Sequence, residues 1–295
     1  MGYECNNFCR FCVHSHRRKL KAKNTREIMR EMAVARKQGY DYLELIGGEP
    51  TIRPDIADLI SFARELKFKH IMMATNGRLF AYEDFAEKMV NAGLTDLIFS
   101  IHGHDSRLHD SLTQVRGSFK QLMRGIENAR RAGLRHLGTN TTIVKQNYRH
   151  LKKIGQLILD LGFTNSEFIF VDPQYGAVSE NFLEFVPKIS QAAPYIRQTL
   201  DLGRGKVAHW QIRYVPLCYF SDYLDQISEL HESKVFYTQH LAPDFVNFDV
   251  EKSRQEISRA KTGKCQKCRL FGQCEGIWKK YLDYYSDKEL KPILK

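Results

Sequence analysis

Apolar positions recur along residues 25–171 with two alternating rhythms. Ile28, Met32 and Ala35 fall on one face of a 3.6-residue period, which predicts a helix over 25–37 with Gly39 as its terminator. The same reasoning predicts helices over 55–66, 82–92, 119–132 and 148–161. Between them lie short apolar runs at 43–46, 70–74, 96–101, 135–144 and 167–171, each of strand length and bounded by turn residues. Regular helix–strand alternation with short connections predicts a parallel sheet. The expected fold is an α/β chain with a curved, partly open barrel of about six βα units. From about residue 193 the periodicity weakens and aromatic and polar residues take over, among them Trp210, Tyr214, Tyr219, Phe220 and Tyr223. These aromatic side chains are expected to cover the mouth of the barrel.

Composition fits one large domain with a smaller appendage: 295 residues, 43% of them apolar, and no apolar run long enough to span a bilayer. The expected division is a barrel over 1–192 and a smaller α+β extension over 193–295. Lysine and arginine number 45 against 34 acidic residues, a formal charge of +11. They concentrate at Arg17, Arg18, Lys19, Lys21 and Lys23, at Arg130 and Arg131, and over 261–269. Such an excess serves solubility and suits an acidic partner, such as a nucleotide, a phosphorylated metabolite or an acidic peptide. Nucleic acid is disfavoured, because no RNA-binding module accompanies the charge.

Cysteine usage sharpens this picture. Cys5, Cys9 and Cys12 follow a Cys-x3-Cys-x2-Cys spacing, with Phe11 directly before the last thiol. So short a loop can direct three thiolates at one cubic iron–sulfur cluster and leave one iron without a protein ligand. A zinc site completed by His14 or His16 is the competing reading. A disulfide is disfavoured, since nothing before Cys5 resembles a secretion signal. The strand at 43–46 runs into Gly47-Gly48-Glu49-Pro50, where two glycines permit close backbone approach and a carboxylate sits at a strand's C-terminal end.

Together the cysteine triplet and Gly47-Gly48-Glu49-Pro50 resemble the radical S-adenosylmethionine (SAM) superfamily, and the resemblance runs nearly end to end. It implies a partial (β/α)6 TIM-like barrel and a [4Fe–4S] cluster on Cys5, Cys9 and Cys12 whose open iron is chelated by SAM. By the same resemblance Gly47, Gly48 and Glu49 bind the SAM amino group and Phe11 lies beside the adenine. Ser100 and Asn140 take ribose-side positions, and Arg116 pairs with the SAM carboxylate or is a solvated loop arginine. Thr75-Asn76-Gly77 is a recurrent feature of these families, either as a turn or as a substrate contact. His102, His104 and His109 occupy a loop where the family places structural histidines.

The remaining cysteines, Cys218, Cys265, Cys268 and Cys274, resemble the abbreviated SPASM, or twitch, extension that carries an auxiliary [4Fe–4S] cluster. Trp278 stands where the complete SPASM pattern has a further cysteine, so a second auxiliary cluster is not expected. Structural zinc on four cysteines is the alternative. The resemblance thus implies two [4Fe–4S] clusters, SAM, a flavodoxin- or ferredoxin-type electron donor and a cytoplasmic, oxygen-sensitive enzyme. The substrate is expected over the barrel mouth, between SAM and the extension. It is closest to enzymes that modify ribosomally made peptides by crosslinking or epimerisation, with the cyclase of molybdenum cofactor biosynthesis more distant. Those peptide enzymes often carry an N-terminal recognition domain, which four residues before Cys5 cannot hold, and this raises sugars, nucleotides and other small anionic metabolites as the alternative. A non-catalytic iron–sulfur or zinc protein is the reading from another class. The four residues also leave the first barrel strand very short, or its start trimmed.

Overall fold

In the computed structural model, which describes residues 1–206, 209–231 and 238–294, six strands form one parallel sheet in sequence order. They are β1 (Tyr42–Leu45), β2 (His70–Thr75), β3 (Asp96–Ser100), β4 (His136–Ile143), β5 (Asn165–Phe170) and β6 (His209–Arg213). The helices are α1 (Thr25–Lys37), α2 (Ile56–Glu65), α3 (Glu83–Ala92), α4 (Ser106–Thr113), α5 (Ser118–Arg131), α6 (Leu151–Asp160), α7 (Gly176–Glu180), α8 (Phe182–Phe185) and α9 (Ile189–Gly203). This is the partial (β/α)6 barrel that the alternation predicted. β6 lies past residue 192, inside the stretch where composition had changed. Its apolar signal is only Trp210 and Ile212 set among polar residues, too short to register as a strand.

Contacts group the chain into two compact units. The first comprises Met1–Cys9, His14–Asn140 and Leu241–Phe245. Its α1 begins with a reciprocal cap, in which Asn24 accepts from the Glu27 amide at 3.0 Å and Glu27 accepts from the Asn24 amide at 2.7 Å. Ile28 and Met32 supply the buried stripe of that helix. Leu59, Ile60, Met73, Phe80, Met89, Leu97, Phe99 and Leu122 form a fully buried core where α2, α3 and α5 cover the sheet.

The first unit contains a very close backbone approach. Gly125 lies inside α5, where a Cβ would sit 2.3 Å from the carbonyl oxygen of Gly77. A helix-interior glycine usually costs about 1 kcal/mol against alanine. Here it admits the turn after β2 into contact with α5, and Asn128 one helical turn on holds the Phe80 carbonyl at 3.0 Å.

The second unit comprises Arg10–Val13, Thr141–His240 and Val246–Lys295. Phe168, Phe170, Phe182, Phe220, Ile154, Ile158 and Leu200 are its fully buried core. Trp210 of β6 is 3% exposed and packs on the glycines of two helices, with a Cβ on Gly203 reaching within 2.5 Å of its ring and one on Gly155 within 3.2 Å. Trp210, Phe220 and Tyr223 are therefore interior packing residues. They do not line the barrel mouth, as their place in an aromatic-rich stretch had suggested. Past them the chain forms two-residue strands, Arg259–Ala260 paired with Ile277–Trp278, and a final helix over Lys279–Tyr285.

Replacing Gly125 with alanine tests the close approach. On an exposed helix the change would stabilise; here overpacking of ~1–3 kcal/mol should win, lowering the thermal midpoint by several degrees. A midpoint that stays level or rises would show that α5 and the Gly77 turn are not packed this closely.

Candidate functional site

The N-terminal segment runs beside the loop after β1. The Gly48 amide donates to the Gly2 carbonyl at 2.9 Å, and the Glu49 amide to the Glu4 carbonyl at 2.7 Å. Residues 2–4 thus form a short edge against that loop, held by two backbone hydrogen bonds and not a strand of the sheet. Only glycine fits here. A Cβ on Gly47, whose φ is +145°, would lie 2.4 Å from the Gly2 oxygen, and one on Gly48 1.9 Å from the Glu4 oxygen.

This edge delivers the chain directly to Cys5 and the loop to Glu49. The Glu49 carboxylate is 3% exposed. Oε1 accepts from the Thr51 amide at 3.2 Å, the Thr51 hydroxyl at 2.6 Å and the Thr75 hydroxyl at 2.7 Å; Oε2 accepts from the Asn76 amide at 2.7 Å. No lysine or arginine pairs with it among the described residues. Burial pushes its pKa above the usual carboxylate range, against the pull of those donors.

Asn76 and Arg78 continue the linkage to the cysteine loop. Asn76 donates to Asn6 Oδ1 at 2.7 Å and accepts from the Arg78 amide at 3.1 Å. Arg78 donates to the Asn6 carbonyl, to Asn7 Oδ1 at 3.2 Å and to Gln121 at 2.6 Å. The Asn7 amide points at Cys5 Sγ, 3.3 Å away, and the Phe8 amide is tied to the Thr113 carbonyl at 2.9 Å. The Thr75-Asn76-Gly77 turn is thus engaged with the chain's own groups. Arg78 is a residue that sequence reading missed; its only signal was a basic residue directly after an Asn-Gly turn.

Ser100 and Asn140 prove to be register partners on β3 and β4, so their side chains share one face of the sheet, both half-buried. Arg116 is exposed at the loop before α5. That loop is closed by Asp110, which accepts from the Gly117 amide at 2.6 Å, the Phe119 amide at 2.8 Å and the Ser118 hydroxyl at 2.9 Å. His102 and His109 are buried and stacked, ring centroids 6.0 Å apart, and burial lowers their pKa values to about 3 and about 4. They are neutral packing residues at any ordinary pH.

In the second unit Phe11 is 6% exposed and Cys12 half-buried. The Cys12 carbonyl accepts the Ala177 amide at 3.1 Å, and Gly176 at φ +60° lets α7 begin against it.

Cys218, Cys265, Cys268 and Cys274, scattered over 57 positions in sequence, all line one cavity with Pro216, Lys261 and Phe271. Burial, together with the neighbouring three sulfurs, pushes the Cys218 thiol up to about 11. Among the described residues no three His, Cys, Asp or Glu side chains converge where a single ion could sit. Four thiols on one cavity could hold either a cubic cluster or a tetrahedral zinc. The Cys274–Gly276 turn is fixed by buried charge. Arg254 clasps Glu275 at 2.8 and 2.7 Å, and Arg259, 1% exposed, reaches Glu229 at 3.0 Å and Glu275 at 3.2 Å. Sequence reading singled out Tyr214, as one of the aromatic residues over the barrel mouth, but missed Asp172; the two lie just past the C-terminal ends of β6 and β5. Burial raises Asp172 to about 6, and Tyr214 holds φ +70°, a conformation that non-glycine residues rarely adopt.

The radical SAM superfamily signature matches residues 1–158. A probable GTP 3′,8-cyclase of Sulfurisphaera tokodaii is 26% identical over 220 residues, 72% of this chain and 67% of that protein. A second, from Saccharolobus solfataricus, is 29% identical over 59% of this chain and 56% of its own. An AdoMet-dependent heme synthase of Methanosarcina barkeri is 33% identical over 46% of this chain and 38% of its own. The chain thus spans less than two thirds of the latter two relatives. Among solved structures, anSMEcpe with bound AdoMet and the Cp18Cys peptide superposes with TM-score 0.68 at 16% identity, covering 99% of this chain and 90% of that one. Streptococcus suis SuiB bound to its precursor peptide SuiA gives 0.65 at 18%, covering 96% and 71%. Likeness at that identity establishes the fold.

Removing Arg78 should free the cysteine loop without unfolding the barrel. Each lost hydrogen bond is worth about 1 kcal/mol. Arg78→Ala should therefore speed amide exchange at Asn7 and Phe8 by roughly 10–100-fold while α6 amides keep their rates. Unchanged exchange in the loop would deny Arg78 this positioning role.

Proposed function

The chain belongs to the radical SAM superfamily, and from that premise we propose that Cys5, Cys9 and Cys12 hold the SAM-binding [4Fe–4S] cluster of a radical enzyme acting on peptides. Cys5, Cys9 and Cys12 would hold that cluster, which would supply the low-potential electron for reductive SAM cleavage and so for hydrogen abstraction from a substrate. The chain's own residues position and shield. Arg78 and Asn76 set the conformation of the loop that carries Cys5 and Cys9. Gly47 and Gly48 let residues 2–4 lie against the loop that carries Glu49, both glycines being assigned with Glu49 to the SAM amino group, and Ser100 and Asn140 offer polar groups from one sheet face for a ribose. Phe11 is assigned to the adenine and Arg116 to the SAM carboxylate.

The carrying observation is Glu49. A buried carboxylate with four neutral donors and no lysine or arginine partner among the described residues would be uncompensated when ionised, a costly state that a bound cation would relieve. The ammonium of an amino acid ligand supplies that cation. Cys218, Cys265, Cys268 and Cys274 are assigned to an auxiliary [4Fe–4S] cluster. With four protein ligands it would have no open iron, which assigns it to electron exchange or substrate positioning. A peptide is favoured because the solved neighbours with bound peptide match 96% and 99% of this chain. The second reading, a nucleotide or other small anionic metabolite, is favoured by the cyclase names of the sequence relatives and the charge of +11.

Anaerobically reconstituted protein should hold about eight irons and eight sulfides. Glu49→Gln should keep that iron but bind SAM about 10–150-fold more weakly, the loss of ~1.5–3 kcal/mol expected for a hydrogen bond to a charged group. Equal SAM affinity would remove Glu49 from the site.

With dithionite and SAM, a deuterated substrate should pass deuterium into 5′-deoxyadenosine. Transfer from a peptide supports the first reading and transfer from a nucleotide the second. A substrate converted with no transfer from any position would reject the hydrogen-abstraction chemistry.

A further inference from the structure

Charged side chains crowd β5, β6 and the segments packed on them in the second unit. Phe168, Trp210 and Ile212 turn one face of these strands into the core. On the other face Arg213 meets Glu167 across the pair at 2.7 Å, and the Ser228 hydroxyl donates to the same Glu167 oxygen at 2.6 Å. Arg254 is paired with Glu275, and Arg259 with Glu229. Three arginines are thus matched by three glutamates. Asp172, two residues past the end of β5, is left over. Its Oδ1 accepts from the Gln174 amide at 2.8 Å, and no lysine or arginine pairs with it among the described residues. Lys280, whose amide donates to the Gln174 side chain at 3.2 Å, sends its ammonium to Ser179 instead. Asp172 is half-buried, and burial raises its pKa to about 6 against the pull of the Arg259 charge. A carboxylate in open solvent would show no such rise, so Asp172 lies in a recess.

Tyr214 follows β6 directly and lies within electrostatic reach of this carboxylate: burial is the main cause of its raised pKa, and the Asp172 charge adds to it. Its φ of +70° is held by a 2.6 Å bond from its amide to Glu229, and its ring packs edge-on to Trp278 at 4.9 Å. Backbone strain of this kind persists only where the surroundings impose it, and it gathers at ligand sites. We propose that Asp172 receives a cationic group of the substrate, a primary ammonium or a guanidinium, with Tyr214 as the fixed wall beside it. The substrate is then a peptide that presents a basic side chain. The inference rests on the reading that this barrel takes a peptide, and it narrows that reading to one chemical class. Every other charge in this group is matched internally, so one negative charge is left for an incoming partner, and a charge-assisted hydrogen bond from a cation relieves it. The C-terminal ends of barrel strands are also where such folds carry their ligands. The formal charge of +11 describes the chain as a whole and favours anions at its surface, not in this recess.

The test uses the anaerobically reconstituted full chain with SAM and four pools of pentapeptides, amidated and labelled at the N-terminus with an uncharged dye. Each pool is random in uncharged residues except at its centre, which is Lys, Arg, norleucine or Glu. In fluorescence anisotropy the Lys or the Arg pool should bind at least roughly tenfold more tightly than the norleucine pool, and the Glu pool most weakly. Asp172→Asn should abolish that preference and Asp172→Glu restore part of it, while both variants keep the iron, sulfide and SAM affinity of the parent. Asp172→Asn should also melt no lower than the parent, because it removes an unpaired charge. A purely structural Asp172 would instead lower the midpoint and leave the preference in place. Pools bound equally, a Glu pool bound best, or a basic preference that survives Asp172→Asn would each overturn the assignment while SAM binding stands. A parent with no labile sulfide and no affinity for SAM would overturn the proposed function, and this inference with it.

Discussion

A carboxylate buried with no lysine or arginine partner among the described residues organises the first unit. Glu49 ties the loop after β1 to the end of β2 through the Thr75 hydroxyl and the Asn76 amide. Asn76 in turn reaches Asn6, and its neighbour Arg78 holds the Asn6 carbonyl and the Asn7 side chain. Two glycines make this possible by letting residues 2–4 lie directly against the loop. The Thr75 link is buried and the others are part-buried, so a chain of hydrogen bonds joins the Glu49 carboxylate to the cysteine loop.

Much of this was legible in sequence because it is local. The cysteine spacing and Gly47-Gly48-Glu49-Pro50 need only neighbouring residues to be recognised. The helix and strand series follows from period alone, and α1 spans Thr25–Lys37, the range that its apolar face and the Gly39 terminator had indicated. Register was not legible. Ser100 and Asn140 looked like two separate polar positions until the β3–β4 pairing set them side by side. Arg78 and Asp172 were invisible for a related reason, since the Arg78 partners and the burial of Asp172 depend on groups distant in sequence. Trp210 misled in the opposite direction. Its place in an aromatic-rich stretch suggested a cover for the mouth, whereas the glycines of α6 and α9 take it into the packing beneath the helices.

The second unit solves a different problem with a costlier device. Arg259, Arg254, Glu229 and Glu275 bring four charges inside, where desolvation is expensive and only close pairing offsets it. Hydrophobic residues could have filled the same volume at less risk. What the ions add is direction: Glu275 immediately follows Cys274, so the clasp fixes where that thiol points. The Arg259 guanidinium also caps the Gly276 carbonyl. Gly276 at φ +86° passes so near Ala260 that no side chain would fit.

Four thiols from segments far apart in the chain, gathered on one cavity, give the C-terminal stretch a dependence on its contents. Among the described residues, little regular structure holds these segments: two pairs of two-residue strands and short helical turns. A guest that bonds to all four would act as a covalent hub, tying Cys218 to a segment almost fifty residues later, as a disulfide ties a small secreted domain. Loading and ordering of this stretch are then a single thermodynamic event, and the free energy of the guest's bonds becomes free energy of folding.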